Sequence, residues 1–459
     1  MEIFLIIFGI WILYWRTLKF YWIIDDIVPR QGYLYCVPEV SPHPSFYSTR
    51  RRWIDGALAI FIHSINVWIV YLLFGWLPAL LFAFSPISVP GTAWATGNYY
   101  AVTTLFTLTS YFFLHTYPNI VGAGLASLFF TAALGSTITC LGFPFIFLIF
   151  NHWGLVLFWP VVTYLRGKRF LKGYAIRNMG KQDKFNLKKL PVMTKTVAYY
   201  IYKTVFPYRM AFFQHFGEDY VRDEKCRKQM ESLNKWFWIS LVSILVFVAI
   251  GWQFSSLGVI WFLFLIGPFS QFKVLGQFVA ERYMYLPSIG WYLILGNALA
   301  PYPVLLWAVV GLYILRSHFY IPAYEKIESL YEDGIRNHPE CLANYANIGE
   351  RYIHMGRLLE GRNILKKGIE LDPDNFLCYT NMAAFCIQVK DITRGLYYTQ
   401  KSIELGKSKS SWYIVQAMQN QRREVRAFEK KYNHEVYFPK RVWNDRIWNL
   451  EKKEWVGLG

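Results

Sequence analysis

Apolar residues in this chain do not alternate with polar ones at strand or amphipathic-helix spacing. They run in long blocks, at about 3–23, 57–84, 99–115, 118–134, 139–165, 196–214, 236–251, 253–270, 286–300 and 302–317. A helix that crosses a bilayer needs about 20 consecutive apolar residues, and most of these blocks approach that length. The pattern predicts an all-α membrane body that ends near residue 320, because no run beyond Arg316 is long enough to span. The first block reads as a retained crossing. MEIFLIIFGIWILYW has neither the basic start nor the small-residue cleavage site of a removable leader.

Beyond the body the pattern changes from blocks to a repeat. Gly334 and Gly368, Pro339 and Pro373, Tyr345 and Tyr379, and Gly361 and Gly395 each stand 34 residues apart, and Ile335, Ile369 and Ile403 keep the same period. Small residues at fixed places allow paired helices to approach. A 34-residue period closing on Ile-Glu-Leu-Asp-Pro is the tetratricopeptide pattern, an α-solenoid. The chain therefore divides into a membrane domain at 1–320, repeats at 321–410, and a charged, helical C-terminal extension at 411–459.

Composition agrees with this division: 54% of residues are hydrophobic and only 17% charged, the balance of a polytopic membrane protein. The net charge of +18 does not indicate a nucleic-acid partner, because no recognised binding motif accompanies it. Nine basic residues and one acid, Asp183, fall between Arg166 and Lys189, and such a loop belongs on the cytoplasmic side. Parity then requires one of the four blocks between 57 and 165 to cross twice or not at all; the 57–84 block, broken by Gly75 and Pro78, fits a tight hairpin, which gives about eleven crossings. The first loop, the loop around 271–285 and the repeats then share the opposite face, periplasmic or lumenal. The six cysteines are scattered, with neither disulfide-framework nor zinc spacing.

Four stretches carry candidate chemistry. WIIDDIVPR places Asp25 and Asp26 at the apolar–polar boundary. A carboxylate there can take a proton from an attacking hydroxyl, or the pair can simply cap a helix end. PFSQFKVLGQFVAERYMYLPSIG carries Lys273, Glu281, Arg282 and Tyr285 between two apolar blocks. Arg282 is suited to grip a lipid-borne phosphate, with Glu281 holding it, whereas Lys273 fits a snorkelling anchor better than a phosphate ligand. SPISVPGTAWATGNYYAV reads as a proline- and glycine-broken loop whose Ser85, Ser88 and Asn98 face a sugar. His63 and Asn66 share a helical face inside an apolar block, either as ligands or as packing groups. No metal-ligand cluster stands out, although a carboxylate pair beside phosphate can hold a divalent ion.

Together these stretches resemble the transmembrane and tetratricopeptide-repeat-containing O-mannosyltransferases (the TMTC group) and their bacterial relatives in the GT-C class. The likeness rests on WIIDDIVPR in the first external loop, His63-x-x-Asn66, Trp94-Ala-Thr-Gly97-Asn98, YIYKTVFPYRM, and above all Val279-Ala-Glu-Arg282-x-x-Tyr285-Leu-Pro-Ser-x-Gly290, followed by the repeats. Ser85, Ser88, Pro90 and Asn98 depart from the residues usual in that family. The resemblance implies an inverting transferase that moves a polyprenyl- or dolichyl-phosphate-linked sugar onto a protein hydroxyl held by the repeat groove, with a divalent metal left open as cofactor. On this reading Asp25 or Asp26 is the general base. Arg282, oriented by Glu281, with Lys273 and Tyr285 beside it, receives the lipid phosphate. His63, Asn66, Ser85, Trp94 and Asn98 line the sugar site. The rival readings are a glycan-lipid transferase or oligosaccharide ligase, and a non-enzymatic membrane scaffold presenting repeats.

Overall fold

The structure, a computed structural model, describes residues 1–21, 23, 53–150, 152–166, 187–217, 224–271, 278–374, 376–389, 392–406, 446–449 and 454–457. The chain forms two compact units, residues 1–330 and 331–459.

The first unit is helical. Its elements are α1 (Glu2–Tyr14), α2 (Trp53–Phe74), α3 (Trp76–Phe84), α4 (Val89–Ala93), α5 (Asn98–Thr116), α6 (Ile120–Ser136), α7 (Phe143–Phe150), α8 (Phe158–Arg166), α9 (Leu190–Val205), α10 (Glu224–Glu231), α11 (Lys235–Phe254), α12 (Ser256–Ile266), α13 (Ser288–Leu299) and α14 (Pro303–Tyr320). By length and composition, three helices among the described residues can cross a membrane: 53–74, 235–254 and 303–324. A fourth is available if the pair 76–84 and 86–93, bent by 61°, counts as one broken span. Shorter apolar helices of 10–17 residues run at 120–136, 138–150, 153–164, 256–269 and 288–299, and the 99–115 block forms the 19-residue α5.

Where the apolar side chains lie supports a lipid surround. Phe4, Leu5, Phe8 and Ile12 of α1, Trp238, Val242 and Leu245 of α11, and Leu312, Leu315 and Phe319 of α14 are exposed. Polar groups turn inward instead. Thr103, Thr104, Thr107 and Ser110 on α5 are fully buried. The three threonines donate to carbonyls one turn back, at 2.7–2.8 Å, and Ser110 donates to the Ala126 carbonyl of α6 at 2.9 Å. The small residues Gly122, Ala123, Ala126 and Ala133 line the buried side of α6. Small residues and satisfied hydroxyls let helices pack closely without a hydrophobic driving force between them.

The 57–84 block does break where glycine allows. Gly75 has φ 87°, in the left-handed region. It separates the 22-residue α2 from the 9-residue α3, whose residues from Pro78 onward are all buried. The loop expected at 85–102 is not a loop. A short turn at Pro86–Ser88, then α4, then the start of α5 at Asn98 make it largely helical and buried. Pro86 and Pro90 sit at first-turn positions of their helices, where proline initiates rather than interrupts.

The second unit contains most of α15 (Ile327–Asn337), then α16 (Leu342–His354), α17 (Leu358–Leu371), α18 (Phe376–Gln388) and α19 (Ile392–Gly406). Its core holds Tyr345, Ala346, Ile353, Leu365, Cys378 and Met382. The repeat glycines sit where helices touch. A Cβ on Gly361 would lie 2.8 Å from Ile353, and one on Gly349 would lie 2.5 Å from Leu365. Gly334 abuts Asn344, and Gly368 abuts Cys378 at the same offset. In the extension, expected to be helical, the described residues instead pair as an antiparallel hairpin, β1 (Arg446–Asn449) with β2 (Glu454–Gly457). Opposed Trp448–Trp455 and Ile447–Val456 pairs favour a pleated ribbon over a helix.

Candidate functional site

The site is built around the segment after Phe278. At its entry, Gln271 has φ 71°, and its side-chain amide donates to the Phe278 carbonyl. A short turn at Glu281–Met284 follows, and α13 begins at Ser288. Trp261 of α12 donates to the Leu286 carbonyl at 3.0 Å, and Ser288 to the Tyr285 carbonyl at 3.0 Å. The segment is thus held from both sides while its side chains diverge.

Glu281 is buried. Its Oε1 accepts from the Ala211 amide and from Gln214 Nε2, both at 2.7 Å, and its Oε2 accepts from the Tyr320 hydroxyl at 2.7 Å. Tyr320 in turn meets the Tyr324 hydroxyl at 2.9 Å. Burial pushes the Glu281 carboxyl up to about 7, against the pull of Lys203, the Tyr320 and Ala211 hydrogen bonds, and Arg316. Glu281 therefore ties the 211–214 segment to the end of α14, and it does not orient its neighbour Arg282 as the sequence suggested. Adjacent residues in this turn point to different partners.

Arg282 is half-buried. Its Nε donates to the Tyr100 hydroxyl at 3.2 Å. Its guanidinium carbon lies 5.4 Å from the Trp94 ring, 5.0 Å from Phe212 and 5.1 Å from Tyr283. Three ring faces and a hydroxyl fix the plane of the cation, which a weakly hydrated guanidinium tolerates and an ammonium would not. Two polar atoms of the same region lack hydrogen-bond partners: Trp94 Nε1, a donor, and Asn98 Oδ1, an acceptor, both buried. Gly97 lies between them because a Cβ there would fall 2.0 Å from the Pro90 carbonyl oxygen.

The other expected sugar ligands form a second cluster, closed by protein partners except at Asn66 Oδ1, which is buried without one. His63 is fully buried; its Nδ1 lies 2.6 Å from the Tyr285 hydroxyl and its Nε2 3.2 Å from the Ala83 carbonyl. With Nε2–H donating to that carbonyl, Nδ1 accepts from Tyr285, so both ring nitrogens are used. Asn66 Nδ2 donates to the Ala101 carbonyl at 2.9 Å. Ser85 Oγ accepts from the Tyr292 hydroxyl and from the Ile87 amide, and Ser88 donates to the Phe82 carbonyl at 3.0 Å. The Tyr285 ring lies against Gly91, where a Cβ would come within 2.6 Å. His63, Asn66, Ser85, Ser88 and Tyr285 are thus packing groups that join α2, α3, α4 and α13. Tyr285 faces this cluster and not a phosphate.

Asp25, Asp26 and Lys273 lie outside the described residues. Among the described residues, no three His, Cys, Asp or Glu side chains gather as metal ligands do. Tyr100, Phe212, Gln214 and Tyr320 were not expected from the sequence. Tyr100 reaches Arg282 from 182 positions away, and no local spacing marks such a pair. No protein family, curated protein or solved structure matches the chain.

Proposed function

We propose that the protein is an integral-membrane glycosyltransferase of GT-C type, moving a sugar from a polyprenyl- or dolichyl-phosphate carrier to an acceptor hydroxyl. One observation carries the reading: a guanidinium of fixed plane, Arg282, lies against the Trp94 ring, whose Nε1 is a buried donor without a partner, and four positions along the chain the buried Asn98 acceptor lacks one too. A sugar hydroxyl both accepts and donates, so it suits that pair, while the cation suits the phosphate to which the sugar is joined. Aromatic walls suit a sugar ring as well as the cation.

In the reaction, the acceptor oxygen attacks the anomeric carbon and its proton passes to Asp25 or Asp26. The bond from that carbon to the phosphate oxygen breaks with inversion. The negative charge that grows on the departing lipid phosphate is met by Arg282, a term that matters more where water is sparse. In this proposal the shorter apolar helices complete about eleven crossings, the site and the second unit lie on the periplasmic or lumenal side, and α15–α19 are tetratricopeptide repeats holding a polypeptide acceptor or partner.

The test is sugar transfer from radiolabelled polyprenyl-phosphate donors by wild type, Asp25→Asn, Asp26→Asn, Arg282→Gln and Trp94→Phe, with folding checked by thermal melt. Loss in folded Arg282→Gln and in one aspartate variant, with a raised donor KM in Trp94→Phe, is expected. Unchanged turnover in Arg282→Gln would sink the assignment. A wild type inert across donors and acceptors would favour the scaffold.

A further inference from the structure

Arg316 stands apart from the site just described. It lies on α14 between two faces of different character: Leu312, Leu315 and Phe319 are exposed on one side, and Tyr313, Ser317 and Tyr320 are buried on the other. Ser317 anchors the helix by donating to the Phe84 carbonyl at 2.9 Å. The Arg316 guanidinium carbon lies 5.6 Å from the Tyr320 ring. Its Nε and Nη2 are buried and have no hydrogen-bond partner.

The nearest compensating charge is already engaged. Arg316 acts on Glu281 through space, but the Glu281 oxygens accept from Ala211, Gln214 and Tyr320. Lys203 acts on the same carboxylate, and Arg282 follows it in the chain. One glutamate therefore stands between two cations, Lys203 and Arg316. Arg316 is half-buried, and leaving two buried donors of a charged group without hydrogen bonds is costly. Within a membrane-crossing helix it marks a functional place.

We propose that Arg316 is a second anion site, taking the phosphate ester of a lipid that enters along the exposed face of α14. Three observations converge: unpartnered donors at the seam of a lipid-facing helix, a local excess of positive charge, and a neighbouring carboxylate too occupied to neutralise it. The donor fork fits a phosphate's oxygens, and the exposed Leu312, Leu315 and Phe319 beside it fit an acyl or isoprenoid tail. A prenyl phosphate and a phospholipid headgroup offer the same chemistry. The inference concerns binding and does not require the transfer reaction.

The test titrates the detergent-purified full chain with farnesyl phosphate, phosphatidylglycerol, farnesol or inorganic phosphate, read by native mass spectrometry and by shift of the thermal melt. Farnesyl phosphate or phosphatidylglycerol should bind and raise the melt, the tighter of the two naming the source. Farnesol and inorganic phosphate, each lacking half of the chemistry, should bind far more weakly. Arg316→Gln should weaken the phosphate lipids about tenfold, the loss of one charge-assisted contact, with Arg316→Lys between. The ligand-free Arg316→Gln protein should melt at or above wild type, whereas a structural arginine would lower it. Equal binding by wild type and Arg316→Gln, no binding by wild type, or a lowered ligand-free melt with affinity intact would each overturn the proposal. Arg282→Gln, assayed alongside, should keep the Arg316-dependent binding even if it abolishes transfer.

Discussion

Two polar clusters in the membrane body draw on the same stretches of chain and end up opposite in character. One joins His63, Asn66, Ser85, Tyr285 and Tyr292; nearly every polar atom in it is satisfied within the protein, the Asn66 Oδ1 excepted. The other gathers Trp94, Tyr100, Phe212 and Tyr283 around Arg282 and leaves the Trp94 donor, and the Asn98 acceptor four positions on, unspent. The segment 85–98 contributes to both, and so does the turn at 281–285. The difference teaches that a buried polar residue in such a body is a lock when its partners are protein groups, and a site when they are not. Locks should govern stability, and sites should govern turnover.

Mutations can break that distinction or sharpen it. The largest effect should come from Arg282→Gln, which should lower transfer by about 100- to 1,000-fold, the usual scale for one electrostatic group facing developing charge, with the melt nearly unchanged. His63→Ala should do the reverse. Removing a buried ring with both nitrogens engaged should cost about 3 kcal/mol of stability, seen in denaturant or thermal unfolding, while the folded fraction keeps its donor KM.

Glu281 joins the two behaviours and gives a pH test. Burial holds its carboxyl at about 7 in the folded protein, above its ordinary value of 4.5, so the folded state holds a proton that the unfolded state releases. Stability from this group is complete below about pH 4.5 and is lost as pH rises through about 7. Comparing wild type with Glu281→Gln, whose amide can donate to Tyr320 while its oxygen still accepts from Ala211, should remove a slope worth roughly 3 kcal/mol across that window. A difference between the two that grows toward acid would contradict the assignment. The smallest effect should be Ser85→Ala. It should cost about 1 kcal/mol, the typical loss of one buried hydrogen bond, with transfer unaffected; a clear loss of transfer would move Ser85 from lock to site.

Much of the fold is legible because single residues impose it. Apolar blocks mark the helices of the body, and the spaced glycines of the second unit mark where helices must touch, as Gly361 against Ile353 shows. The segment 85–102 was misread because Pro86 and Pro90 begin helical turns as readily as they end them. The paired strands at 446–449 and 454–457 were hidden by charged neighbours that outnumber their paired tryptophans. At the site, Arg282, Trp94 and Asn98 were legible as residue types. Their division from His63, Ser85 and Tyr285 was not, because it depends on which partner each meets across the sequence. Tyr100 and Phe212 carry no local mark at all.

The hydrogen bond from Tyr285 to His63 spans 222 positions, and that distance sets a timetable. At a synthesis rate of about 5–20 residues per second, roughly 10 to 45 seconds pass between the insertion of the histidine and the emergence of its tyrosine. Through that interval the first helices hold a ring nitrogen that no later segment has yet reached. The link between α2 and the segment before α13 therefore closes only after the intervening helices have been made.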